Sequence, residues 1–164
     1  MEDAGIGKEL IIDGGTEADS VDLLYCFVGY NGGGLSIDMG PGSDRLMFLD
    51  MLSYGPVFCD SGADADSLRM GSTILAEGNR LLGGLTLLTG DGDDDVVLFN
   101  GKSNGPFRVD MSDGNDSLDA SVFRCLQGAV LDGGKGRDRL SLEFVRFAGI
   151  RPEIGRFETR RGGL

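Results

Sequence analysis

Six aspartates, Asp19, Asp44, Asp66, Asp94, Asp116 and Asp138, recur along the chain at intervals of 25, 22, 28, 22 and 22 residues. Each closes a short segment rich in glycine or acid: GGTEAD, MGPGSD, SGADAD, TGDGDD, MSDGND and GGKGRD. More acids stand just ahead of these segments, at Asp13, Asp38, Asp60, Asp110 and Asp132, and around them, at Asp91, Asp93, Asp95 and Asp113. Periodic carboxylates mixed with flexible backbone suit a hard cation; Ca2+ takes about 6–8 oxygen ligands. Glycine admits positive φ, so such a turn can aim its carbonyls inward at an ion. If successive copies lie about 4.8 Å apart, neighbouring carboxylates in water repel by roughly 0.8 kcal/mol, and a counter-ion relieves that.

The elements that position these turns follow from the columns around them. Nine and seven residues before the six aspartates stand Leu10, Leu35, Val57, Leu85, Phe107, Ala129 and Ile12, Ile37, Cys59, Leu87, Val109, Leu131. Two and four residues after stand Val21, Leu46, Leu68, Val96, Leu118, Leu140 and Leu23, Phe48, Met70, Leu98, Ala120, Leu142. Every one is apolar, and each pair is two residues apart, the strand period. One copy cannot bury its own apolar residues, whereas stacked copies can. The pattern predicts an all-β fold, a right-handed parallel β-helix or β-roll solenoid of about six coils with a basic period of 22 residues. A β-sandwich would not keep fixed inward columns. The expected boundaries are 1–150 for the solenoid and 151–164 for a basic C-terminal tail or the start of a further coil. The extra residues fall in VGYNGGG and LAEGNRLLGG, read as loops, and a short third strand is expected on the far side of each coil.

The segment Gly133-Gly134-Lys135-Gly136-Arg137-Asp138-Arg139-Leu140-Ser141 matches G-G-x-G-x-D-x-U-x throughout. In this the chain resembles the RTX (repeats-in-toxin, hemolysin-type) calcium-binding β-roll proteins. The resemblance implies Ca2+ held between successive turns by turn carbonyls and the sixth-position aspartates, here Asp94, Asp116, Asp138, Asp44, Asp66 and Asp19. It also implies an extracellular or bacterial cell-surface location. The chain departs from the family in having one such turn per 22 residues rather than one per nine. Glu17 and Asp64 replace the glycine at the fourth motif position, and Ser112 replaces the second. An EF-hand loop does not fit, because strands rather than helices flank GDGDDDV and the closing Glu is absent. The tail IGRFETRRGGL is similar, over a short stretch, to coil ends of autotransporter-like bacterial surface β-helices.

Composition sets the remaining bounds. With 27 acidic and 15 basic residues, the chain disfavours nucleic acid and anionic membranes as partners. No run of apolar residues is long enough to insert in a membrane, and MEDAGIGKEL shows no signal-peptide pattern. Cys26, Cys59 and Cys125 read as small buried hydrophobes. The chain has no His, so His-based acid–base chemistry and Ser-His-Asp triads are excluded, and neither a P-loop nor Gly-x-Ser-x-Gly occurs. No enzyme is expected. The leading expectation is a calcium-binding structural or adhesive module of a secreted or surface protein, folding as it meets Ca2+. The alternatives are a metal-independent autotransporter-like stalk and a module of a polysaccharide-active enzyme. Tyr25, Tyr30 and Tyr54 look too scattered to mark a sugar face. A glycan or cell-surface partner stays open, as does end-to-end association or continuation into a longer chain.

Overall fold

The computed structural model describes residues 5–73, 78–148 and 151–161, with side chains for all but 5, 6 and 159–161. Residues 1–4 of the stretch read for a leader, residues 74–77 of the second insertion, residues 149–150 and the last three residues of the basic tail lie outside this set.

Every strand pairing is parallel, and there is no helix among the described residues. The chain winds as a β-solenoid of about six turns. A seven-stranded sheet carries the strands that enter the Asp turns: Leu10–Asp13, Leu35–Asp38, Val57–Asp60, Leu85–Leu88, Phe107–Asp110, Ala129–Asp132 and Glu153–Gly155. The strands that leave the turns lie in the larger sheet: Ser20–Leu24, Arg45–Leu49, Ser67–Gly71, Asp95–Ser103, Ser117–Cys125, Arg139–Glu143 and Thr159–Arg161. A short third strand follows in each coil, as at Phe27–Val28, Leu52–Ser53, Asn79–Leu81 and Arg146–Phe147; in two coils it is fused to the strand before it.

Register agrees with the sequence columns. Val96 pairs with Leu68 and Leu118, and Leu98 with Met70 and Ala120. Leu87 pairs with Cys59 and Val109. Alternation along a strand sends these residues inward and their neighbours out, and Phe48, Ile37, Leu46, Met70, Leu87 and Leu98 are buried in one continuous core. Cys59 and Cys125 are buried in that core, Cys26 is half-buried, and all three are free thiols. Burial pushes the Cys59 and Cys26 thiols up, and Cys125 up to about 12.

Two segments differ from the sequence reading. LAEGNRLLGG, read as a loop, contains the third strand Asn79–Leu81, which pairs with Leu52–Ser53 and with Gly101–Ser103. Asn79 points into the core, where its side chain accepts from the Met51 N–H at 2.7 Å and donates to the Phe48 carbonyl at 3.1 Å. It fills both main-chain hydrogen-bonding needs of a corner, so a buried amide is tolerated there. In the tail, Glu153–Gly155 and Thr159–Arg161 pair with the last full coil. The intervening turn is shortened to Arg156-Phe157-Glu158, three residues where the preceding coil uses six.

Candidate functional site

The turn edge is built from the entering strand, six turn residues and the leaving strand. Main-chain hydrogen bonds run from coil to coil through it. The N–H of the first turn residue donates to the coil that follows, as from Met39 to the Asp60 carbonyl and from Met111 to Asp132. The fourth does the same, as from Gly92 to Asp113 and from Gly114 to Lys135. The glycines have a steric purpose in this stack. A Cβ on Gly136 would lie 1.5 Å from the Gly114 carbonyl oxygen, and Gly136 has φ 141°. Where a side chain is present at the equivalent position, at Asp64, φ relaxes to 79°, a left-handed value that Asp tolerates. Gly136→Ala is therefore expected to destabilise by about 1–3 kcal/mol. Gly128→Ala, with nothing within 4 Å of its Cβ, should leave the urea midpoint unchanged.

The six sixth-position aspartates form one stacked row, but not an exposed one. Asp44, Asp66, Asp94, Asp116 and Asp138 are each between 1% and 5% exposed, and Asp19 at the head of the row is half-buried. From Asp44 onward, each carboxylate Oδ1 accepts the main-chain N–H of the aspartate one coil earlier. The Asp19 N–H donates to Asp44 at 2.7 Å, Asp44 to Asp66 at 2.8 Å, and Asp66 to Asp94 at 2.9 Å. The ladder continues from Asp94 to Asp116 at 2.9 Å and from Asp116 to Asp138 at 3.0 Å. Its seventh rung is Glu158, whose carboxylate accepts the Asp138 N–H at 2.5 Å. Here the turn is shorter, and the side chain that makes the rung is longer by one methylene.

The second carboxylate oxygen is the unusual feature. Oδ2 of Asp44, Asp66, Asp94, Asp116 and Asp138 is buried without a hydrogen-bond partner among the described residues. The hydroxyls of Ser61 and Thr89, polar neighbours of Asp66 and Asp94, donate instead to the Thr89 and Met111 carbonyls at 3.2 and 3.3 Å. Burial raises the affinity of all five carboxylates for a proton, and pushes Asp66 and Asp116 up to about 7. The charges of neighbouring rungs add to this for Asp66 and Asp116.

A second acidic row flanks the first. Asp13, Asp38 and Asp60 stand in register, as do Asp110 and Asp132. Asp60 and Asp132 accept the N–H two residues ahead, from Gly62 at 3.2 Å and Gly134 at 3.3 Å. Arg156 grips Asp132 through two hydrogen bonds, at 2.6 and 2.7 Å, and holds its carboxyl below the usual range. Arg108 binds Asp110 at 2.6 Å. This row is thus partly neutralised by arginine, whereas among the described residues no cation forms an ion pair with the inner row, and Arg156 reaches only Asp138 at a distance.

The inner row supplies hard oxygen donors of the type Ca2+ takes, one unpartnered oxygen on each rung from Asp44 to Asp138. Side chains alone do not make a cage: among the described residues no three acidic groups converge closely enough to hold a metal ion. A cation between coils would draw on the Oδ2 atoms of two adjacent rungs and complete its shell from turn carbonyls and water. The sequence located every rung from Asp19 to Asp138 and missed Glu158. It also missed the main-chain bond that each Oδ1 makes. No family model matches the chain, and neither a curated protein nor a solved structure matches it.

Proposed function

We propose that this chain is a calcium-binding structural module of a secreted or surface protein, stiffened by Ca2+ between its coils. The observation that supports this reading is the column of buried Oδ2 atoms with no hydrogen-bond partner among the described residues. A buried polar atom left unpaired costs about 1–3 kcal/mol, and more when charged. At neutral pH and above the row must therefore take up protons or a cation. Ca2+ outside the cell is plentiful enough to fill that place, and an ion that binds only the folded chain stabilises it by mass action. The module's work is then spacing or adhesion in a setting where folding waits for Ca2+. No catalytic step is assigned to it. One observation favours a metal-independent stalk instead: Oδ1 of each rung already has a structural partner in the neighbouring coil's N–H.

Thermal melts in Ca2+ and in chelator, repeated across pH, separate the two. The folded carboxyls of Asp66 and Asp116 titrate near 7, above their ordinary 3.8. A raised carboxyl stabilises the fold below the unfolded value and loses that contribution as pH rises through the folded one. In chelator the melting temperature should fall between about pH 5 and pH 8. With Ca2+ at a hundred times its dissociation constant, a single site restores about 2.7 kcal/mol, or about 5–10 °C for a chain of this size. The gap should open above pH 6 and close near pH 4. Coincident curves at pH 8 would remove the calcium reading and leave the stalk.

A further inference from the structure

The third strand of each coil carries a different row on its outer face. Arg80 pairs in register with Lys102, Lys102 with Arg124, and Arg124 with Arg146. Their neighbours along the strand, Asn79, Leu81, Gly101, Ser103, Phe123 and Cys125, are buried, so these four side chains stand outward, half-exposed at Arg80 and Lys102 and exposed at Arg124 and Arg146. Four cations are stacked at the sheet spacing of about 4.8 Å, where they repel one another. The protein has acid to spare and uses it elsewhere. Arg45, Arg108, Lys135, Arg139 and Arg156 all make ion pairs with aspartates. Lys102, Arg124 and Arg146 make none among the described residues.

The columns two residues to either side of the row mix apolar residues with the amides of Asn100 and Asn104 and hold no carboxylate. On one side Val122 is 54% and Phe144 77% exposed. On the other, in the column headed by Tyr54, stand Leu82, Asn104, Leu126 and Ala148, each donating its N–H to the third strand of the coil before, at Ser53, Leu81, Ser103 and Cys125. Tyr54 in turn meets Tyr30 edge-on, with ring centroids 5.2 Å apart, and both rings are exposed. The tyrosine pair thus stands beside the Arg80 end of the row, since Leu52 and Ser53, just before Tyr54, pair with Arg80 and Leu81.

We infer that the outward row Arg80–Lys102–Arg124–Arg146, with Tyr30 and Tyr54 at its head, binds a linear acidic polysaccharide carrying one carboxylate per sugar. A uronate chain offers anions at a regular spacing of the same order as the coil rise, and the C–H faces of its sugars suit exposed aromatic and aliphatic side chains. Duplex nucleic acid fits less well, since it presents one charge per about 1.7 Å of axis, about a third of the coil rise. Binding of this kind needs no calcium.

The test is titration calorimetry with polygalacturonate oligomers in chelator, so that Ca2+ cannot bridge carboxylates on the two partners. Binding is expected at low salt, weakening steeply as salt rises, with none to dextran. Lys102→Glu combined with Arg124→Glu should weaken it at least tenfold with an unchanged melting temperature, because both side chains point to solvent. If that double variant does not fold, Lys102→Gln with Arg124→Gln carries the same test. Absence of binding at low salt would overturn the proposal, as would equal binding by the folded variant. Equally tight binding of duplex DNA or of phosphatidylglycerol vesicles would also overturn it, since the row would then be a general polyanion site. Failure of the calcium melts leaves this result unaffected, and the reverse holds too.

Discussion

Leu98→Asp should yield a chain that does not fold, whereas Val97→Asp, one residue away, should fold with a urea midpoint close to wild type. Leu98 is 1% exposed and lies between Met70 and Ala120 in the inner column. Truncating a buried leucine costs about 2–5 kcal/mol in lost packing. The new carboxyl adds the cost of a buried polar group with no partner, at least about 1–3 kcal/mol and far more if ionised. The total approaches or exceeds the whole stability of a typical domain, about 5–15 kcal/mol. Val97 is on the opposite face of the same strand, in register with Arg69 and Asp119. An added carboxylate there meets one charge of each sign in water, and the net effect should stay within about 1 kcal/mol. Far-UV circular dichroism and urea unfolding read both variants. A folded Leu98→Asp with the wild-type midpoint would mean that the faces are assigned the wrong way round.

That contrast rests on a feature legible in the amino-acid order alone. The columns through Leu98 and Leu140 stand out because a strand alternates with period two and every coil repeats the same register. Register fails as a guide only where the period is broken. The insertion before Asn79 displaces the third strand, and a buried amide disguises it, because Asn does not announce a core position. Glu158 is hidden by a turn three residues shorter than its neighbours and by a Glu where the pattern has Asp. The basic row is in plain view, since Arg80, Lys102, Arg124 and Arg146 are each 22 residues apart. Outward positions carry no apolar signature, so the row does not stand out as the inward columns do. In the sequence, the turn glycines signify freedom to aim carbonyls at an ion. In the fold, Gly136 answers first to the Gly114 carbonyl pressed against it. Steric need of that kind depends on the distance between coils, which one coil's sequence does not carry.

The aspartate row has two tasks on two oxygens, and substitutions at Asp116 separate them. Oδ1 accepts the Asp94 N–H at 2.9 Å, while Oδ2 is buried without a partner. Asp116→Asn keeps an oxygen for the N–H and removes the charge. In chelator at pH 8, where the wild-type group with its value near 7 is mostly ionised, the Asn variant should be at least as stable as wild type. Its amide can donate toward the unpartnered oxygens of Asp94 and Asp138, which relieves both neighbours. Asp116→Ala loses the acceptor as well, leaves the Asp94 N–H unpaired in the interior, and should cost about 1–3 kcal/mol at every pH. In Ca2+ both variants should lose about a third of the ion-dependent rise in melting temperature, because Asp116 flanks two of the six gaps between rungs. Glu158 gives Asp138 a neighbour on its far side, so Asp138→Asn should lose a similar part of the rise. Asp19, half-buried and flanking one gap among the described rungs, should lose least. A full calcium response in Asp116→Asn would show that Oδ2 is not a ligand. The row would then be a main-chain ladder whose charge is quenched by protons, with the falling stability above pH 6 as its only signature.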